Sequence, residues 1–305
     1  MGIERFDPAT AGAADLAAWC VVYCDGHREL SGGAPDPRSL AAALRDRPDG
    51  LPRWLARRDP EGPVVGAAEV RGDFLRLAVA GPARGQGIGA ALVDRVRAGG
   101  APLRTTVLDG DTEVPYAAVL LRLELHEQPL TGDVLARCRA LAAAPPPGYE
   151  IAAWRGAAPD AVAGSLGPVL GHVLDAPGAA LQLAPRAWDA AAVRRWEAKM
   201  TAGMTAGGDE LLVCAALHGG TAVAATVLTT GGGPVAEQHD TAVLPGHRRL
   251  GLARLVKAAN TLALHRLHPA TRSVAVTVNE ANTAMLAVNR AVGYTWRRTR
   301  LLVQL

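Results

Sequence analysis

The chain is short of cysteine, of aromatic residues and of any charge bias, and each shortage excludes something. Its four cysteines, Cys20, Cys24, Cys138 and Cys214, are scattered without a Cys-x-x-Cys pair, which argues against a zinc cage and against a disulfide framework. Cys20 and Cys24 lie one helical turn apart and read as small side chains filling a helix face in a reducing compartment. His265 and His268 sit near a helix end, where capping is the expected role, so no metal site is expected. Aromatic residues make up 4% of the chain, and 32 basic against 29 acidic side chains leave a net charge of +3. With no long Lys or Arg run and no strip of interleaved aromatic and basic residues, nucleic acid is not an expected partner. No apolar run is long enough to span a bilayer, and Met1-Gly2-Ile3-Glu4-Arg5-Phe6 carries neither a signal pattern nor a complete acylation motif. The expectation is a cytoplasmic protein, a monomer or homodimer, without membrane contact.

What the chain does have is length and repetition. Its 305 residues are 49% apolar, enough for two domains of roughly 150 residues with a core each. A proline run, Pro145-Pro146-Pro147-Gly148, cannot continue a helix or a central strand and suits a short stiff linker. It divides the chain into expected domains 1–144 and 149–305. Both halves open alike, with candidate strands Ile3 to Phe6 and Tyr149 to Trp154.

The repetition is sharpest at two segments 164 positions apart. Leu77-Ala78-Val79-Ala80 runs into Arg84-Gly85-Gln86-Gly87-Ile88-Gly89-Ala90, and Thr241-Ala242-Val243-Leu244 runs into Arg248-Arg249-Leu250-Gly251-Leu252-Ala253. Each reads as a strand, a basic glycine-bearing turn and a helix. Such a turn aims several main-chain N–H groups and the positive end of a helix at one place, which holds a pyrophosphate without a metal. Gly87 and Gly251 let the main chain approach it without a Cβ, and Arg84, Arg248, Arg249 and Arg254 are placed to add charge-assisted hydrogen bonds.

Around the second turn the pattern is that of a mostly antiparallel sheet. Strands are expected at Leu211 to Leu217, Thr221 to Thr230 and Val235 to Leu244, joined by Gly219-Gly220 and Gly231-Gly232-Gly233-Pro234. A helix over Leu250 to His265, a strand Val274 to Val278, a helix Asn282 to Ala291 and a last strand pair follow. Helices are expected before them over Ala158 to Leu174 and Trp188 to Met204, the latter with a core stripe of Ala192, Val193, Trp196, Met200 and Met204. The first half repeats the order with strands Val64 to Val70 and Asp73 to Val79, a helix Gln86 to Ala98 and a strand Leu103 to Leu108.

A dinucleotide fold is the rival reading, because Gly85-Gln86-Gly87-Ile88-Gly89-Ala90 satisfies G-x-G-x-x-A and Asp109 follows about 20 residues on. The second copy decides against it. Leu250-Gly251-Leu252-Ala253 lacks the paired glycines, and antiparallel strand signals precede both loops where a βαβ series would be needed.

The chain resembles the GNAT acyltransferase superfamily. Arg84-x-x-Gly87-x-Gly89 and Arg248-x-x-Gly251-x-Ala253 fit its signature. Asn279-Glu280-Ala281-Asn282-Thr283-Ala284-Met285-Leu286, Asn289 and Gly293-Tyr294 look like its segment beside the pantetheine arm. The resemblance implies an α+β protein of two tandem GNAT folds, each a mixed, mostly antiparallel central sheet flanked by helices. It also implies acetyl-CoA, or another acyl-CoA, as cofactor and a small-molecule amine as substrate. Cofactor contacts are then expected at Val79, Arg84, Gly85, Gln86, Gly87, Ile88, Gly89 and Ala90 in the first half. In the second they are expected at Ala242, Val243, Leu244, Arg248, Arg249, Leu250, Gly251, Leu252, Ala253, Arg254, Asn279 and Asn282.

Acyl transfer to an amine needs a base for the ammonium proton and a donor to polarise the thioester carbonyl. Strict alternation along Glu237-Gln238-His239-Asp240-Thr241 puts Glu237, His239 and Thr241 on one face. Glu237 is the expected base, with His239 as alternative or partner, and the N–H near Val243 as the polarising donor. Asn289 falls where the family usually presents a Tyr to protonate the thiolate, and an amide cannot supply a proton at neutral pH. Tyr294 takes a packing position. The first half has Asp73 and Leu75 where the second has Glu237 and His239, and Val114 to His126 lacks the asparagines. It is therefore expected to be structural or to hold cofactor without turnover, while the second half catalyses. A non-catalytic acyl-CoA-binding or regulatory protein is the alternative. For the acceptor pocket the sequence offers only His172, Asp175, Asp209 and Glu210.

Overall fold

The computed structural model describes residues 1–32, 34–46, 49–100, 102–110, 114–181, 187–201 and 209–305. Two compact units emerge. The first comprises residues 1–125 with 298–305, and most of 126–297 forms the second. This division differs from the expected break at the proline run, because a long strand and the C-terminal strand each change unit partway along.

Unit 1 starts with β1 (Gly2–Arg5), α1 (Ala13–Ser31) and α2 (Pro37–Asp46), then β2 (Arg53–Arg57), β3 (Val64–Arg71) and β4 (Phe74–Val79). α3 (Ile88–Arg97) and β5 (Arg104–Leu108) follow, and then β6 (Ala118–Pro129), which belongs here as far as Leu125. β1 to β4 pair antiparallel in sequence order, whereas β4 and β5 meet in parallel at Phe74 and Arg104. One face of this sheet packs α1 and α2 through Leu16, Trp19, Tyr23, Leu40 and Leu44, and the other packs α3 through Ile88, Leu92, Val93 and Val96.

Unit 2 takes the end of β6 and α4 (Gly132–Ala142), then β7 (Tyr149–Arg155), α5 (Asp160–Gly171), α6 (Ala190–Thr201), β8 (Glu210–His218), β9 (Thr221–Thr230) and β10 (Val235–Val243). α7 (Leu252–Leu267), β11 (Ser273–Asn279), α8 (Thr283–Ala291) and the start of β12 (Thr295–Gln304) complete it. β7, β8, β9 and β10 form an antiparallel meander, and β10 then pairs in parallel with β11. The turn between β8 and β9 is as tight as the sequence suggests: Gly219 and Gly220 both adopt positive φ, 57° and 77°, the geometry that suits the twist of a hairpin.

β8 is buried on both faces. Leu211, Val213 and Ala215 pack with Leu166, Val193 and Trp196 of α5 and α6. Leu212, Cys214 and Ala216 face the opposite layer, where Leu252, Leu255 and Val256 come from α7 and Leu286 from α8. That double burial explains the nearly unbroken apolar run in its sequence.

Three expectations change at the level of elements. The last segment after Tyr294 is one strand, Thr295–Gln304, and not a strand pair. α5 ends at Gly171 and gives way to a tight helical turn over His172–Asp175. α6 ends at Thr201, and Met204 of the expected stripe lies outside the described residues. The helix α4 was not anticipated. All four cysteines are buried and unpaired; burial pushes the thiols of Cys20 and Cys214 up to about 12 and those of Cys24 and Cys138 to about 11, so none is a ready nucleophile. Among the described residues no group of three or more His, Cys, Asp or Glu side chains could hold a metal, and no helix is long and apolar enough to cross a membrane.

Candidate active site

The turn before α7 carries two residues in the left-handed region, Arg249 at φ 66° and Gly251 at φ 81°. For Gly251 this conformation costs little, whereas Arg249 holds it against its own Cβ. Successive residues of alternating hand turn their N–H groups toward one concavity, a nest for an anion. The first intrahelical bond of α7 runs from Leu255 N to Gly251 O, 3.1 Å, so the amides of Leu252, Ala253 and Arg254 precede the helical ladder and point out of its N-terminus.

Arg248 serves this turn from within. Its Nε donates to the carbonyl of Val243 at 3.0 Å and its Nη2 to Asp175 at 2.5 Å, and Asp175 also meets His172 Nδ1 at 2.9 Å. The guanidinium beside Asp175, together with His172, holds that carboxyl below the usual carboxylate range. Two acceptor-pocket candidates, His172 and Asp175, are thus bound to each other and to the loop. Glu210, a third, is paired with Arg155 at 2.6 Å and His268 at 3.3 Å.

β10 brings the second feature. It pairs with β11 from Val235–Ser273 to Gln238–Val276, yet β10 continues to Val243 and β11 to Asn279. Beyond Gln238 the parallel ladder between the two strands stops. On its other edge the register with β9 slips: Gln238 lies opposite Leu228 and Thr241 opposite Thr226, so His239 and Asp240 share a single partner position. This is a β-bulge, and it reverses the facing of every residue after it. The strict alternation expected for Glu237, His239 and Thr241 is therefore incorrect. Glu237 and His239 keep a common face, but Thr241 turns to the face of Gln238. Side chains pin the bulge in place: Gln238 Nε2 donates to Val227 O at 2.7 Å and to Thr226 Oγ1 at 3.0 Å, and Thr226 Oγ1 meets Thr241 Oγ1 at 2.7 Å.

Glu237 sits opposite Thr229 on one side and Ala275 on the other, at the last paired stretch before that ladder stops. His239 Nε2 meets Thr229 Oγ1 at 2.6 Å. Burial pushes its imidazole down to about 4, so it is neutral and weakly basic at physiological pH. Proton affinity thus favours the carboxylate, with the imidazole as its neighbour. Main-chain groups of Ala242, Val243 and Leu244 lie along the end of β10 and lead directly into the Arg248–Gly251 turn.

The asparagines divide. Asn282 caps α8, its Oδ1 accepting from Met285 N at 3.1 Å. Asn279 Nδ2 donates to Pro177 O at 2.9 Å while its Oδ1 accepts from Ala281 N at 3.0 Å. Asn289 is different: it is 0% exposed and neither carboxamide atom has a partner. Tyr294 packs in the core with its hydroxyl likewise unpartnered, and burial pushes its pKa up. Sequence reading missed Lys257, which is 2% exposed in the middle of α7. The signal was present nine residues beyond each signature arginine, where the first copy has Val93.

In unit 1 the loop has the same main-chain form. Gly85 and Gly87 adopt φ 72° and 76°, and Arg84 donates from Nε to Val79 O at 3.1 Å and forks onto Glu29 at 3.1 and 2.6 Å. Gln86 Nε2 donates to Pro82 O at 3.3 Å. The strand leading into it has no bulge, since β3 and β4 stay in register from Gly66–Val79 to Arg71–Phe74. Asp73 is tied to Arg104 at 2.6 Å, and Leu75 is buried. Among the described residues between β5 and β6 there is no helix to match α8.

Comparison with known proteins relates one segment of the chain to a family and the whole chain to a fold. Residues 179–294 match the Acetyltransferase (GNAT) family model. The chain is similar to a tandem GNAT protein from the clavulanic acid biosynthesis pathway, solved without AcCoA, with 21% identity, a TM-score of 0.71, and coverage of 99% of this chain and 97% of that one. It is also similar to a GCN5-related N-acetyltransferase from Sphaerobacter thermophilus, with 18% identity, a TM-score of 0.59, and coverage of 100% and 95%. An acetyltransferase of the GNAT family from Colwellia psychrerythraea gives 13% identity, a TM-score of 0.56, and coverage of 100% and 98%. No curated protein matches. The family match thus falls within the second half of the chain, while the likeness in fold to a tandem GNAT protein extends over nearly the whole of it.

Proposed function

We propose that the protein is an acyl-CoA-dependent N-acyltransferase, using acetyl-CoA and a small-molecule amine, with unit 2 as the catalyst. The observation that carries this reading is the conjunction in one unit of the Arg249–Gly251 nest, the stretch of β10 beyond its ladder with β11 and the Glu237 carboxylate where that ladder stops. The residues suit the cofactor: the nest and the N-terminus of α7 match a diphosphate, and β10 beyond the end of its ladder with β11 offers main-chain groups to amides laid beside it as an added strand would be. When bound, the thioester supplies an activated acyl group.

The chain's own residues then have separate tasks. Leu250, Gly251, Leu252, Ala253 and Arg254 hold the diphosphate through main-chain N–H groups, and Arg249 and Arg254 add charge. Arg248 keeps the loop seated on Val243. A main-chain N–H near Val243 polarises the thioester carbonyl. Glu237, directly or through water, takes the proton of the acceptor ammonium, which frees the nitrogen for direct attack on the carbonyl carbon. Unit 1 is a scaffold or a cofactor holder, with Val79, Gly89 and Ala90 in its loop beside the residues described above.

Isothermal calorimetry with acetyl-CoA and mass spectrometry of products from a panel of amines test the reading. Micromolar binding together with an acylated amine, lost in Glu237→Gln, is the expected result. The replacement of the usual tyrosine by Asn289 favours a second reading, a non-catalytic acyl-CoA-binding or regulatory protein. Tight binding without any acylated product, and no difference between Glu237→Gln and the parent, would select it.

A further inference from the structure

Unit 1 gathers cations on one face of its first helix. Tyr23, His27 and Ser31 follow one another at four-residue spacing along α1 and so stand in a row, about 6 Å apart. Two strands send guanidiniums to the ends of that row. From β4, Arg76 Nη1 donates to the Tyr23 hydroxyl at 3.4 Å; from β12, Arg300 Nη1 donates to Ser31 Oγ at 3.1 Å and to Leu30 O at 2.6 Å. His27 stands between them. β5 runs between β4 and β12, and its Thr106 and Leu108 share the face of Arg300. His27, Thr106 and Arg300 are half-buried and Arg76 is exposed, so solvent reaches the row.

The helix itself accounts for the arginines of β12. Its last carbonyls carry partial negative charge, and Arg300 caps them together with Arg298, which donates to Glu29 O at 2.9 Å. Arg76 and His27 are not explained in this way. Arg76 meets α1 two turns before its end. Among the described residues, the charges that act on His27 are those of Arg76, Arg300 and Arg28; burial first, and then these three cations, push its imidazole down to about 4. The carboxylates around the row are engaged elsewhere. Asp25 pairs with Arg28 at 2.6 Å, Glu29 with Arg84 at 2.6 Å, and Glu69, across from Arg76 on β3, with Arg53 at 2.7 Å. On β5 Arg104 pairs with Asp73 at 2.6 Å, and beside α2 Asp36 accepts from Ser39 N at 2.9 Å. Like charges drawn together around a neutral imidazole oppose folding, and a group of opposite charge would relieve them. Guanidiniums, an imidazole and a hydroxyl offer the donors that an oxyanion accepts. Unit 2 reverses the sign: eight residues before its loop arginine stands Asp240, where unit 1 has Arg76.

We propose that unit 1 binds a small oxyanion, the phosphoryl or carboxylate group of a small molecule, beside His27 and between Arg76 and Arg300. This goes beyond the function proposed above and does not depend on it. The entering anion sets an attraction against the repulsion at His27, so the imidazole takes up a proton from solvent as the ligand binds.

The test titrates the full chain with sulfate, a stand-in for a phosphoryl group whose own charge is constant between about pH 5 and pH 8, and with acetate for a carboxylate. NMR follows the imidazole signal of His27, assigned by its loss in His27→Gln. The midpoint is expected near pH 4 without added anion and near the ordinary 6.5 with saturating sulfate. By linkage, sulfate should then bind about 10-fold more tightly at about pH 5.5 than at about pH 8. Arg76→Gln should weaken that binding at least ~10-fold at the lower pH, and Arg76→Lys, which keeps the charge, should restore most of it. A response to sulfate alone selects a phosphoryl-bearing ligand, and a response to acetate a carboxylate. A His27 midpoint that neither anion moves overturns the proposal, and that arm does not depend on the folding of an Arg76 variant. Sulfate binding that Arg76→Gln leaves intact places the ion elsewhere and overturns it as well.

Discussion

Two loops of nearly the same main-chain form stand in units whose surroundings differ. Arg84 and Arg248 each donate from Nε to the carbonyl five residues earlier and from the rest of the guanidinium to a carboxylate, Glu29 or Asp175. Each loop holds two left-handed residues and ends in a glycine at a helix start. The differences begin just outside the loop. Unit 2 has the bulge after Gln238, the helix α8 with Asn289, and Lys257 in its long helix; unit 1 has an unbroken register, no such helix among the described residues, and Val93. The form of the loop is therefore a local property that a short segment carries by itself. The proposed chemistry draws in addition on groups assembled from β10 and α7.

The comparison can be broken most forcefully at the proposed base. Glu237→Gln should lower turnover by about 10²–10⁴, the usual contribution of a positioned base, with acetyl-CoA affinity unchanged, whereas Asp73→Asn should leave turnover as it was. Steady-state kinetics on both variants decides it; an equal effect would mean that the two units share the work.

The next effect concerns the grip. Gly251→Val forces a β-branched side chain to φ 81° and sets its Cβ 3.4 Å from Arg254 Nη2. It should weaken acetyl-CoA binding by at least ~10-fold, or about 1.4 kcal/mol. Gly87→Val meets the same strain at φ 76° but should reduce only thermal stability. If calorimetry showed binding lost in the second variant as well, unit 1 would be a cofactor holder and not a scaffold.

Lys257 sharpens the contrast with Val93 through pH. Its folded pKa, about 7, lies below the ordinary lysine value of 10.5, so between these limits the unfolded chain binds more protons and stability rises with pH, by up to about 1.4 kcal/mol per pH unit. The penalty is complete below pH 7 and gone above the unfolded pKa. Denaturant melts of Lys257→Val and the parent should diverge at pH 6 and converge near pH 10. Parallel curves across that range would show that the ammonium is not desolvated in the folded state.

The smallest expected effect is Asn282→Ala. Loss of the cap on α8 should cost about 1 kcal/mol of stability, read from the denaturation midpoint. A large loss of acetyl-CoA affinity with little change in stability would instead return Asn282 to the cofactor-binding role that the resemblance implies.

Much of the fold was legible because its signals are local. Gly219-Gly220 and the apolar alternation located the β8–β9 hairpin, and the two Gly-bearing turns located both helix starts. The helix α4 escaped because its interest lies in what it packs against: Leu135 and Cys138 are buried in unit 2 although they precede the proline run. The bulge escaped because nothing in Gln238-His239-Asp240 announces an extra residue. It is created by the register with β9 and held by Gln238 and Thr226.

The amino-acid order alone determined the duplicated strand–turn–helix, the glycine-bearing basic form of both turns and the candidacy of Glu237, since these depend on backbone preferences and charges within a few residues of one another. Which face Thr241 takes, that Arg248 is occupied by Asp175, that Lys257 lies over the Tyr294 ring and that the Asn289 carboxamide is buried without a partner were decided only by tertiary structure. The reason is that burial and hydrogen-bond satisfaction belong to the environment a side chain meets, and segments far apart in the sequence supply that environment.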